Sequence, residues 1–361
     1  MNKKLKVGIL GATGFVGQRL VTLLHDHPYF DIKIVAASER SAGKSYEDAV
    51  AGKWKLSQPI PDSVKAMEVR NLHNVPEISS EVDFVFCAVD MPAAEIREIE
   101  EKYAKAETPV VSNNSAHRKT ADVPVIIPEV NPEHLSIIEK QKQRLGTSRG
   151  FIVAKPNCSI QSYVPAINAL MDFKPTMMSV CTYQAISGSG KTFADWPEMI
   201  DNIIPFISGE EEKSEQEPLK VWGSIEGSEI VKLKAPIITA QCLRVPAAEG
   251  HMAAVSVSFE HKPSMETILE RWNNYKGKPQ LLNLPSAPKQ FLTYFKEDNR
   301  PQTRLDRDTE NGMGITLGRL REDSIFDYKF VCLSHNTLRG AAGGSVLTAE
   351  LLAAEGYITS K

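Results

Sequence analysis

The sequence predicts an α/β protein of two domains, a doubly wound parallel sheet followed by an α+β domain with a mixed sheet. Three observations favour this fold class. Strand-like and helical segments alternate up to about residue 155, and a glycine-rich turn joins the first strand to the first helix. Beyond that point, strand-like segments alternate or run apolar, as in a mixed sheet. A chain of 361 residues is also too long for one ordinary core.

The composition argues against several classes of partner. A net charge of -3 gives no electrostatic reason to expect nucleic acid or an anionic membrane. The 5 cysteines include no CxxC pair, so they indicate neither a zinc site nor a disulfide framework, and they suit a reducing cytoplasm. The sequence shows no signal peptide and no apolar run long enough to span a bilayer. We therefore expect a cytoplasmic globular protein without a metal site.

The first strand is predicted at Lys6–Leu10, and a turn with the spacing GxxGxxG, residues 11–17, leads into a helix from Gln18 to about His25. This order is typical of a Rossmann-type unit, in which glycines let the backbone approach a pyrophosphate at a helix N-terminus. The spacing is not the strict GxGxxG, so a plain turn is the alternative. We predict cofactor contacts from Gly11, Thr13, Gly14, Phe15 and Val16.

The second strand, Ile32–Ala37, ends in the polar segment 38–44. Folds that bind NAD usually place an acid here for the ribose 2′-hydroxyl. This segment instead offers hydroxyl and basic side chains that would receive the 2′-phosphate of NADP, although Glu39 argues against it. We therefore predict NADP as the cofactor. The expected contacts in this segment are Ser38, Arg40 and Ser41, with Lys44 nearby.

Further strands are predicted at Val82–Ala88 and Thr108–Ser112, with a helix from Ala93 to Ala104 between them. The second of these strands runs into the loop 113–118. Loops at the carboxyl ends of such strands are where doubly wound sheets bind ligands. We predict that these elements complete a cofactor-binding domain of residues 1–155.

Residues 156–337 are predicted to form a catalytic and dimerisation domain. Its expected strands are Met178–Ala185, Cys242–Ala247 and Ala253–Phe259, with a polar helical region at about 192–232. An alanine-rich helix ending near Glu355 follows a glycine-rich segment. We expect residues 338–361, with this helix, to pack back on the first domain.

A candidate nucleophile lies in the segment Lys155-Pro156-Asn157-Cys158-Ser159, which precedes an apolar run with helical spacing, Ile160–Met171. Backbone N–H groups and the dipole at a helix N-terminus would favour the Cys158 thiolate, the reactive form of cysteine. The same donors could hold an oxyanion. The alternative is that Cys158 is a small buried hydrophobic residue.

The loop Ala185–Thr192 is similar to a phosphate-binding P-loop, but alanine replaces its first glycine. No clear strand ending in a magnesium-binding aspartate follows it, which disfavours ATP. We predict instead that Ser187 and Gly188 line the nicotinamide side of the cofactor.

His251 and Arg244 flank a turn rich in proline and glycine. An arginine so close to a candidate acid/base could clamp a substrate carboxylate with two parallel hydrogen bonds. The alternative is a surface arginine and an ordinary turn histidine.

These segments together resemble the aspartate-β-semialdehyde dehydrogenases, and the segments 38–44 and 339–344 look like the archaeal and fungal branch of that family. The motifs that carry the resemblance are Gly11 to Gly17, Pro156 to Ser159, Arg244 to His251 and His335 to Gly344. The resemblance implies NADPH-dependent reduction of aspartyl-β-phosphate to the semialdehyde, with release of phosphate, in amino-acid biosynthesis.

The resemblance also implies residue roles. Cys158 would be the nucleophile that forms an acyl-thioester, and His251 the acid/base. By similarity, Arg244 binds the substrate carboxylate, Gln184 orients the substrate, Glu210 contacts its amino group, Lys213 and Arg118 bind phosphate, and Asn336 lies near the nicotinamide. Among the three consecutive acids, we favour Glu210 over Glu211 and Glu212 because it lies three residues before Lys213. Family members are homodimers or homotetramers that act on small molecules.

Three alternatives remain at the level of the sequence. Malonyl-CoA reductases look similar in this branch, and N-acetylglutamyl-phosphate reductases share the catalytic use of a cysteine and a histidine. A catalytically silent NADP-binding regulator would keep the first domain and need no Cys158 chemistry.

Overall fold

The computed structural model describes residues 4–361 as two six-stranded sheets and a two-stranded hairpin. The strands are β1 (Leu5–Leu10), β2 (Phe30–Ala37), β3 (Val69–Asn71), β4 (Phe84–Cys87), β5 (Val110–Ser112), β6 (Ile152–Ala154), β7 (Pro175–Gln184), β8 (Ser224–Glu226), β9 (Glu229–Val231), β10 (Ile237–Arg244), β11 (His251–Phe259), β12 (Leu292–Phe295), β13 (Ile315–Glu322) and β14 (Tyr328–Ser334). The α-helices are α1 (Phe15–Leu24), α2 (Tyr46–Val50), α3 (Asp62–Lys65), α4 (Val75–Glu81), α5 (Ala93–Lys105), α6 (Ile138–Leu145), α7 (Val164–Asn168), α8 (Glu210–Val221), α9 (Met265–Asn273), α10 (Lys278–Leu281), α11 (Thr303–Asp306) and α12 (Ala342–Ala354). No helix of this part of the chain is long and apolar enough to cross a bilayer.

The first sheet has the strand order β3-β2-β1-β4-β5-β6, and every pairing is parallel. Parallel strands are covered on both faces, and β4 and β5 are buried at every position, which explains their continuous apolar sequences. The strand order reverses between β1 and β4, so a crevice opens at the carboxyl ends of these two strands. The predicted Rossmann-type, doubly wound sheet is confirmed.

The second sheet is mixed, with the order β10-β7-β11-β14-β13-β12. The parallel register of β7 and β10 places Gln184 beside Arg244. The antiparallel register of β7 and β11 places Tyr183 opposite Met252, so His251 reaches the same edge of the sheet. Three predicted site residues that are distant in sequence are thereby brought together.

The C-terminal helix α12 is buried on every side along residues 342–352. It shares a hydrophobic cluster with β1 and α1 of the first sheet. Small residues let it approach its neighbours closely, since a Cβ on Gly343 would lie 2.6 Å from the Met313 sulfur. An alanine-rich helix with no polar face is stable only when it is enclosed in this way.

The apolar run 160–171 is not one helix, contrary to the prediction. It forms a 3₁₀ turn at Ser159–Gln161, the short helix α7, and a second 3₁₀ turn at Met171–Phe173. Pro165 lies in the first turn of α7, where its missing N–H costs nothing, but it prevents a helix from continuing through from Ser159.

Other predicted boundaries are also wrong. The strand expected at Cys242–Ala247 runs instead from Ile237 to Arg244, and Pro246 cannot donate to a sheet ladder. The region 192–232 contains one α-helix, α8, together with loops and the β8-β9 hairpin. Helix α1 begins at Phe15 rather than Gln18, because Gly14 takes the N-cap position.

Candidate active site

Three glycines shape the turn between β1 and α1, each in a different way. Gly11 has a φ of +83°, and a Cβ there would lie 2.4 Å from the Ala88 carbonyl oxygen. A Cβ on Gly17 would lie 2.1 Å from the Gly11 oxygen, so the helix packs directly on the turn. A Cβ on Gly14 would meet only that oxygen, at 3.5 Å, and no side chain caps this helix end. An open, uncapped N-terminus fits the pyrophosphate of a dinucleotide.

A cleft of about 680 Å³ extends from this turn to the second domain. Its lining includes the predicted cofactor contacts Thr13, Gly14, Phe15, Val16, Ser187 and Gly188. Gly11 lies beneath the turn and shapes it. The cleft therefore joins the two segments that were predicted separately to hold the pyrophosphate and the nicotinamide of the cofactor.

Ser38, Arg40 and Ser41, the predicted 2′-phosphate contacts, do not line this cleft. They follow β2 in a turn where the Ser41 N–H donates to the Ser38 carbonyl at 3.0 Å. Ser38 and Arg40 are exposed, whereas Ser41 is buried. Their contact with the cofactor stays a prediction.

A second cavity, of about 280 Å³, adjoins the cleft. The two share the residues Val16, Asn113, Asn114, Ser187 and Gly188. Cys158 lines this second cavity, together with Arg118, Glu210, Lys213 and Asn336. The predicted nucleophile, phosphate ligands and substrate acid therefore face one space beside the cofactor cleft.

Asn157 shapes the backbone around Cys158. Its side-chain oxygen accepts hydrogen bonds from the Ser159 N–H at 2.8 Å and the Ser159 hydroxyl at 2.6 Å. This arrangement caps the turn that starts at Cys158. That turn is a 3₁₀ segment of only three residues, so it has little of the dipole expected from a full helix.

The environment of Cys158 does not favour the thiolate that the sequence predicted. Burial, and then the Glu210 charge, raise the pKa of the Cys158 thiol to about 11. The positive charges of Lys155, Arg118 and Arg244 act in the opposite direction but do not outweigh burial. Groups that neutralise Glu210 would lower the thiol pKa.

Lys155 is a candidate functional residue that the sequence interpretation missed. Its side chain is 3% exposed, and within residues 4–361 its Nζ donates one hydrogen bond, to the Pro156 carbonyl at 3.3 Å. Burial lowers the pKa of Lys155 to about 7, and Cys158 is the largest opposing influence. Gly344 makes room for it, since a Cβ there would lie 2.8 Å from Lys155 Cε. The only sequence signal was a lysine within the cysteine motif.

Glu210 is a buried carboxylate held by three donors. Lys213 Nζ reaches Oε1 at 2.8 Å, Asn157 Nδ2 lies 3.0 Å from both oxygens, and Gln184 Nε2 reaches Oε2 at 3.2 Å. Burial acts to raise the pKa of Glu210, but the Lys213 charge and these hydrogen bonds outweigh it and leave the pKa below its usual value. Glu210 is therefore ionised at neutral pH.

The two neighbouring acids contact other groups. Glu211 accepts from the Cys242 N–H at 3.3 Å, and Glu212 pairs with Lys119 at 2.6 Å on the surface. Among the three, Glu210 alone lines the Cys158 cavity. This position supports the choice of Glu210, whose substrate contact stays a prediction.

Glu217 is a second residue that the sequence interpretation missed. One of its oxygens accepts from Arg118 Nη1 at 3.0 Å, and the other accepts from the Asn157 N–H at 2.6 Å. One carboxylate on α8 therefore fixes the predicted phosphate ligand against the cysteine loop. Glu217 lies seven residues after Glu210, so both acids lie on one face of α8. This spacing was the signal in the sequence that could have identified Glu217.

Arg244 and His251 are fixed by the backbone of one residue, Ala185. Arg244 Nη1 donates to the Ala185 carbonyl at 2.7 Å, and the Ala185 N–H donates to His251 Nδ1 at 3.1 Å. Burial, and then the Arg244 charge, lower the pKa of His251 to about 3. The neutral imidazole therefore carries its proton on Nε2.

Gly188 lies directly against these two side chains. A Cβ there would lie 2.8 Å from Arg244 Nη1 and 3.0 Å from His251 Nε2. Asn336 holds the same loop, because its amide nitrogen donates to the Ser187 hydroxyl at 2.8 Å and its oxygen accepts from the Gly250 N–H at 2.8 Å. The predicted nicotinamide contacts are thus tied to the predicted acid/base.

Three buried donors at this site have no partner in the described part of the chain. Arg118 Nε and Asn113 Nδ2 belong to residues that line the Cys158 cavity, whereas His251 Nε2 lies behind Gly188, which lines it. Buried polar groups are nearly always hydrogen-bonded, so orphaned donors beside a cavity indicate a ligand rich in acceptor oxygens. An acyl phosphate with a carboxylate has this chemistry.

Residues 6–138 match the family model for the semialdehyde dehydrogenase NAD-binding domain, and residues 167–339 match that for the semialdehyde dehydrogenase dimerisation domain. The aspartate-semialdehyde dehydrogenase of Schizosaccharomyces pombe is 44% identical over 98% of this chain and 99% of that protein. That of Archaeoglobus fulgidus is 42% identical over 98% and 100%. The crystal structure of the Candida albicans enzyme with NADP has a TM-score of 0.89 and 39% identity, and the match covers 99% of this chain and 100% of that chain.

Proposed function

The chain belongs to the aspartate-semialdehyde dehydrogenase family, and from this premise we propose how its residues perform the reaction. The protein is an NADP-dependent oxidoreductase that reduces L-aspartyl-4-phosphate to L-aspartate 4-semialdehyde and releases phosphate. The malonyl-CoA and N-acetylglutamyl-phosphate alternatives are not favoured by these relatives. The observation that carries the residue assignment is the cavity at Cys158, with its three unpartnered donors, beside the dinucleotide cleft.

Substrate recognition follows from the charges around Cys158. Arg244 would clamp the α-carboxylate, and Glu210 would accept the ammonium group, so an amino acid is preferred to a plain dicarboxylate. Arg118 and Lys213 would hold the phosphoryl group, whose charge grows as the C–O bond between the acyl carbon and phosphate breaks. Because the ammonium group neutralises Glu210, substrate binding would also lower the thiol pKa of Cys158.

The thiolate of Cys158 would attack the acyl carbon, forming the C–S bond as the C–O bond to phosphate breaks. His251 cannot take the thiol proton through Nε2, because the Ala185 N–H occupies Nδ1 and leaves Nε2 protonated. It would instead donate a hydrogen bond from Nε2 to the oxyanion of the tetrahedral intermediate and so stabilise it until the C–S bond breaks and the thiolate leaves. Lys155, whose pKa lies near neutrality, would accept the thiol proton as a neutral amine and then stabilise the thiolate as a cation. When bound, NADPH supplies the hydride.

The match to a dimerisation domain supports an oligomer, and we propose a homodimer that acts in the cytoplasm. The face of the second sheet opposite the core carries alternate half-exposed residues along β7 and β11. Met177 and Ile237, paired across β7 and β10, are 49% and 70% exposed. Light scattering should give a dimer, and Ile237→Glu should give monomers. A dimer of unchanged stability in that variant would contradict this interface.

Activity is tested most directly in the phosphorylating direction. Aspartate semialdehyde, phosphate and NADP should give NADPH absorbance with the wild type, whereas Cys158→Ser should abolish turnover and leave NADP binding detectable. Malonyl-CoA should support no NADPH consumption. A Cys158→Ser variant with wild-type turnover would contradict the assigned nucleophile, whereas a wild type that binds NADP but shows no turnover would favour an NADP-binding regulator.

A further inference from the structure

A separate cavity of about 290 Å³ lies next to the active-site cavity, between α5, the loop after β5, and α8. Ser115, Arg118 and Lys213 line both cavities, so the two meet at the predicted phosphate ligands. Apart from Arg118 and Lys213, none of the residues that line this cavity has been assigned to the substrate or the cofactor.

The lining of this neighbouring cavity is strongly cationic. Its charged side chains are Arg97, Arg118, Lys119, Lys213, Lys220 and Lys232, against the acids Glu212 and Glu217. Lys119 pairs with Glu212 at 2.6 Å, and Arg118 pairs with Glu217 at 3.0 Å. Both acids are therefore already paired with two of the six cations.

Arg97, Lys220 and Lys232 have no carboxylate within 4.0 Å anywhere in residues 4–361. Arg97 Nη1 donates to the Ala116 carbonyl at 3.2 Å, and Lys232 Nζ donates to the neutral Gln216 side chain at 3.3 Å. Three cations without an ion-pair partner therefore line one concave space, and only the more distant charges of Asp122 and Glu217 oppose the lowering of the Lys220 pKa. Such an arrangement repels itself unless an anion is present.

Lys220 shows most clearly that this cavity lacks an anion. Its side chain is 4% exposed, and its Nζ donates to the Arg118 and Thr120 carbonyls at 2.9 and 2.6 Å. An ammonium group has three donors, so one N–H is left over. Burial, and then the charge of Lys232, lower the pKa of Lys220 to about 8. A bound oxyanion would supply both the missing acceptor and the missing charge.

We propose that the cavity lined by Arg97, Lys220 and Lys232 is a second oxyanion site, which holds inorganic phosphate next to the active site. The inference rests on the proposed function, because that reaction releases or consumes phosphate at Arg118. No bond forms or breaks at this second site. Its role is to receive the dianion after it leaves Arg118 and Lys213, and to raise the local phosphate concentration for the reverse reaction.

The first test is steady-state kinetics in the phosphorylating direction at about 150 mM salt, where long-range attraction is screened beyond roughly 8 Å. Lys232→Gln and Arg97→Gln should each raise KM for phosphate about threefold, and the double variant about tenfold. KM for aspartate semialdehyde and for NADP should stay within about 1.5-fold. Lys234→Gln is the matched control, because it removes an exposed lysine from the same segment outside the cavity.

Equal increases for the Lys232 and Lys234 variants would overturn the proposal, because they would indicate general electrostatic attraction. An increase in KM for aspartyl phosphate in the forward direction, with none for inorganic phosphate, would also overturn it and assign the cavity to the substrate's phosphoryl group. Inactivity of the wild type with all substrates would refute the proposed function instead. An active wild type with unchanged variants refutes only the second site.

The second test counts bound anions. Equilibrium dialysis of the Cys158→Ser protein with radiolabelled inorganic phosphate should give two phosphates per subunit. The same protein carrying Arg97→Gln and Lys232→Gln should give one. One phosphate per subunit in both proteins would overturn the second site.

Discussion

Replacing Gly188 by alanine would place one methyl group against two buried side chains of the active site, Arg244 and His251. The new Cβ would lie 2.8 Å from Arg244 Nη1 and 3.0 Å from His251 Nε2, whereas ordinary contacts begin at 3.4 Å. One or both side chains must therefore move by roughly half an ångström. Neither can do so freely, because both are buried and both are hydrogen-bonded to Ala185.

The expected cost follows from that displacement. A misplacement of about 1 Å in a catalytic group costs roughly a hundredfold in rate, so half of it should cost between about tenfold and a hundredfold in kcat/KM. This corresponds to about 1.4–2.7 kcal/mol of transition-state stabilisation. Overpacking should also lower the free energy of unfolding by about 1–3 kcal/mol.

The assay is NADPH formation from aspartate semialdehyde and phosphate, with thermal unfolding measured in parallel. Gly146→Ala is the control, because a Cβ there meets nothing within 4 Å but the residue has a φ of +70°. This control should lose about 1 kcal/mol of stability and no activity. A Gly188→Ala protein within threefold of the wild-type kcat/KM would refute the contact argument.

Three further predictions concern charge. Lys155→Met should raise the thiol pKa of Cys158, because it removes a cation that lowers it, and should slow alkylation by iodoacetamide at pH 7.5 about fivefold; an unchanged alkylation rate would separate Lys155 from the thiolate. Burial acts to raise the pKa of Glu249, but the combined effects of His335 and Arg19 outweigh it and lower the pKa to about 2. The ionised carboxylate therefore stabilises the folded protein fully above pH 4.5, the ordinary pKa of the group, and this stabilisation is lost as the pH falls towards 2. Glu249→Gln should therefore reduce the acid sensitivity of the unfolding free energy in that window by up to about 3 kcal/mol, and equal acid sensitivity in both proteins would contradict it. Arg244→Lys should raise KM for aspartate semialdehyde at least about tenfold with a smaller change in kcat, because lysine cannot form two parallel hydrogen bonds; a fall in kcat alone would assign Arg244 a different role.

Much of the local order was readable from the sequence. The turn at residues 11–17 predicted a dinucleotide unit, because only glycine fits against Ala88 and against the turn itself at Gly11 and Gly17. The buried strands β4 and β5 were visible as apolar runs. The segment 155–159 identified Cys158, because its neighbours Pro156 and Asn157 are typical of a tight turn.

Other features depend on neighbours that a local pattern cannot show. The run 160–171 has helical spacing, yet Pro165 divides it. The thiol pKa of Cys158 follows burial and Glu210, which the dipole argument did not include.

The sequence by itself determined the classes of element and the cofactor turn, and it indicated the candidate reactive residues, because each is a property of a few adjacent side chains. Only the tertiary structure decided which side chains meet. The register of β7 with β10 and β11 brings Arg244 and His251 to one edge, and α8 carries Glu210 and Glu217 to the cysteine loop. The role of Lys155 also depends on the tertiary structure. Its pKa is lowered by burial, and the groups that surround it come from several distant segments of the chain.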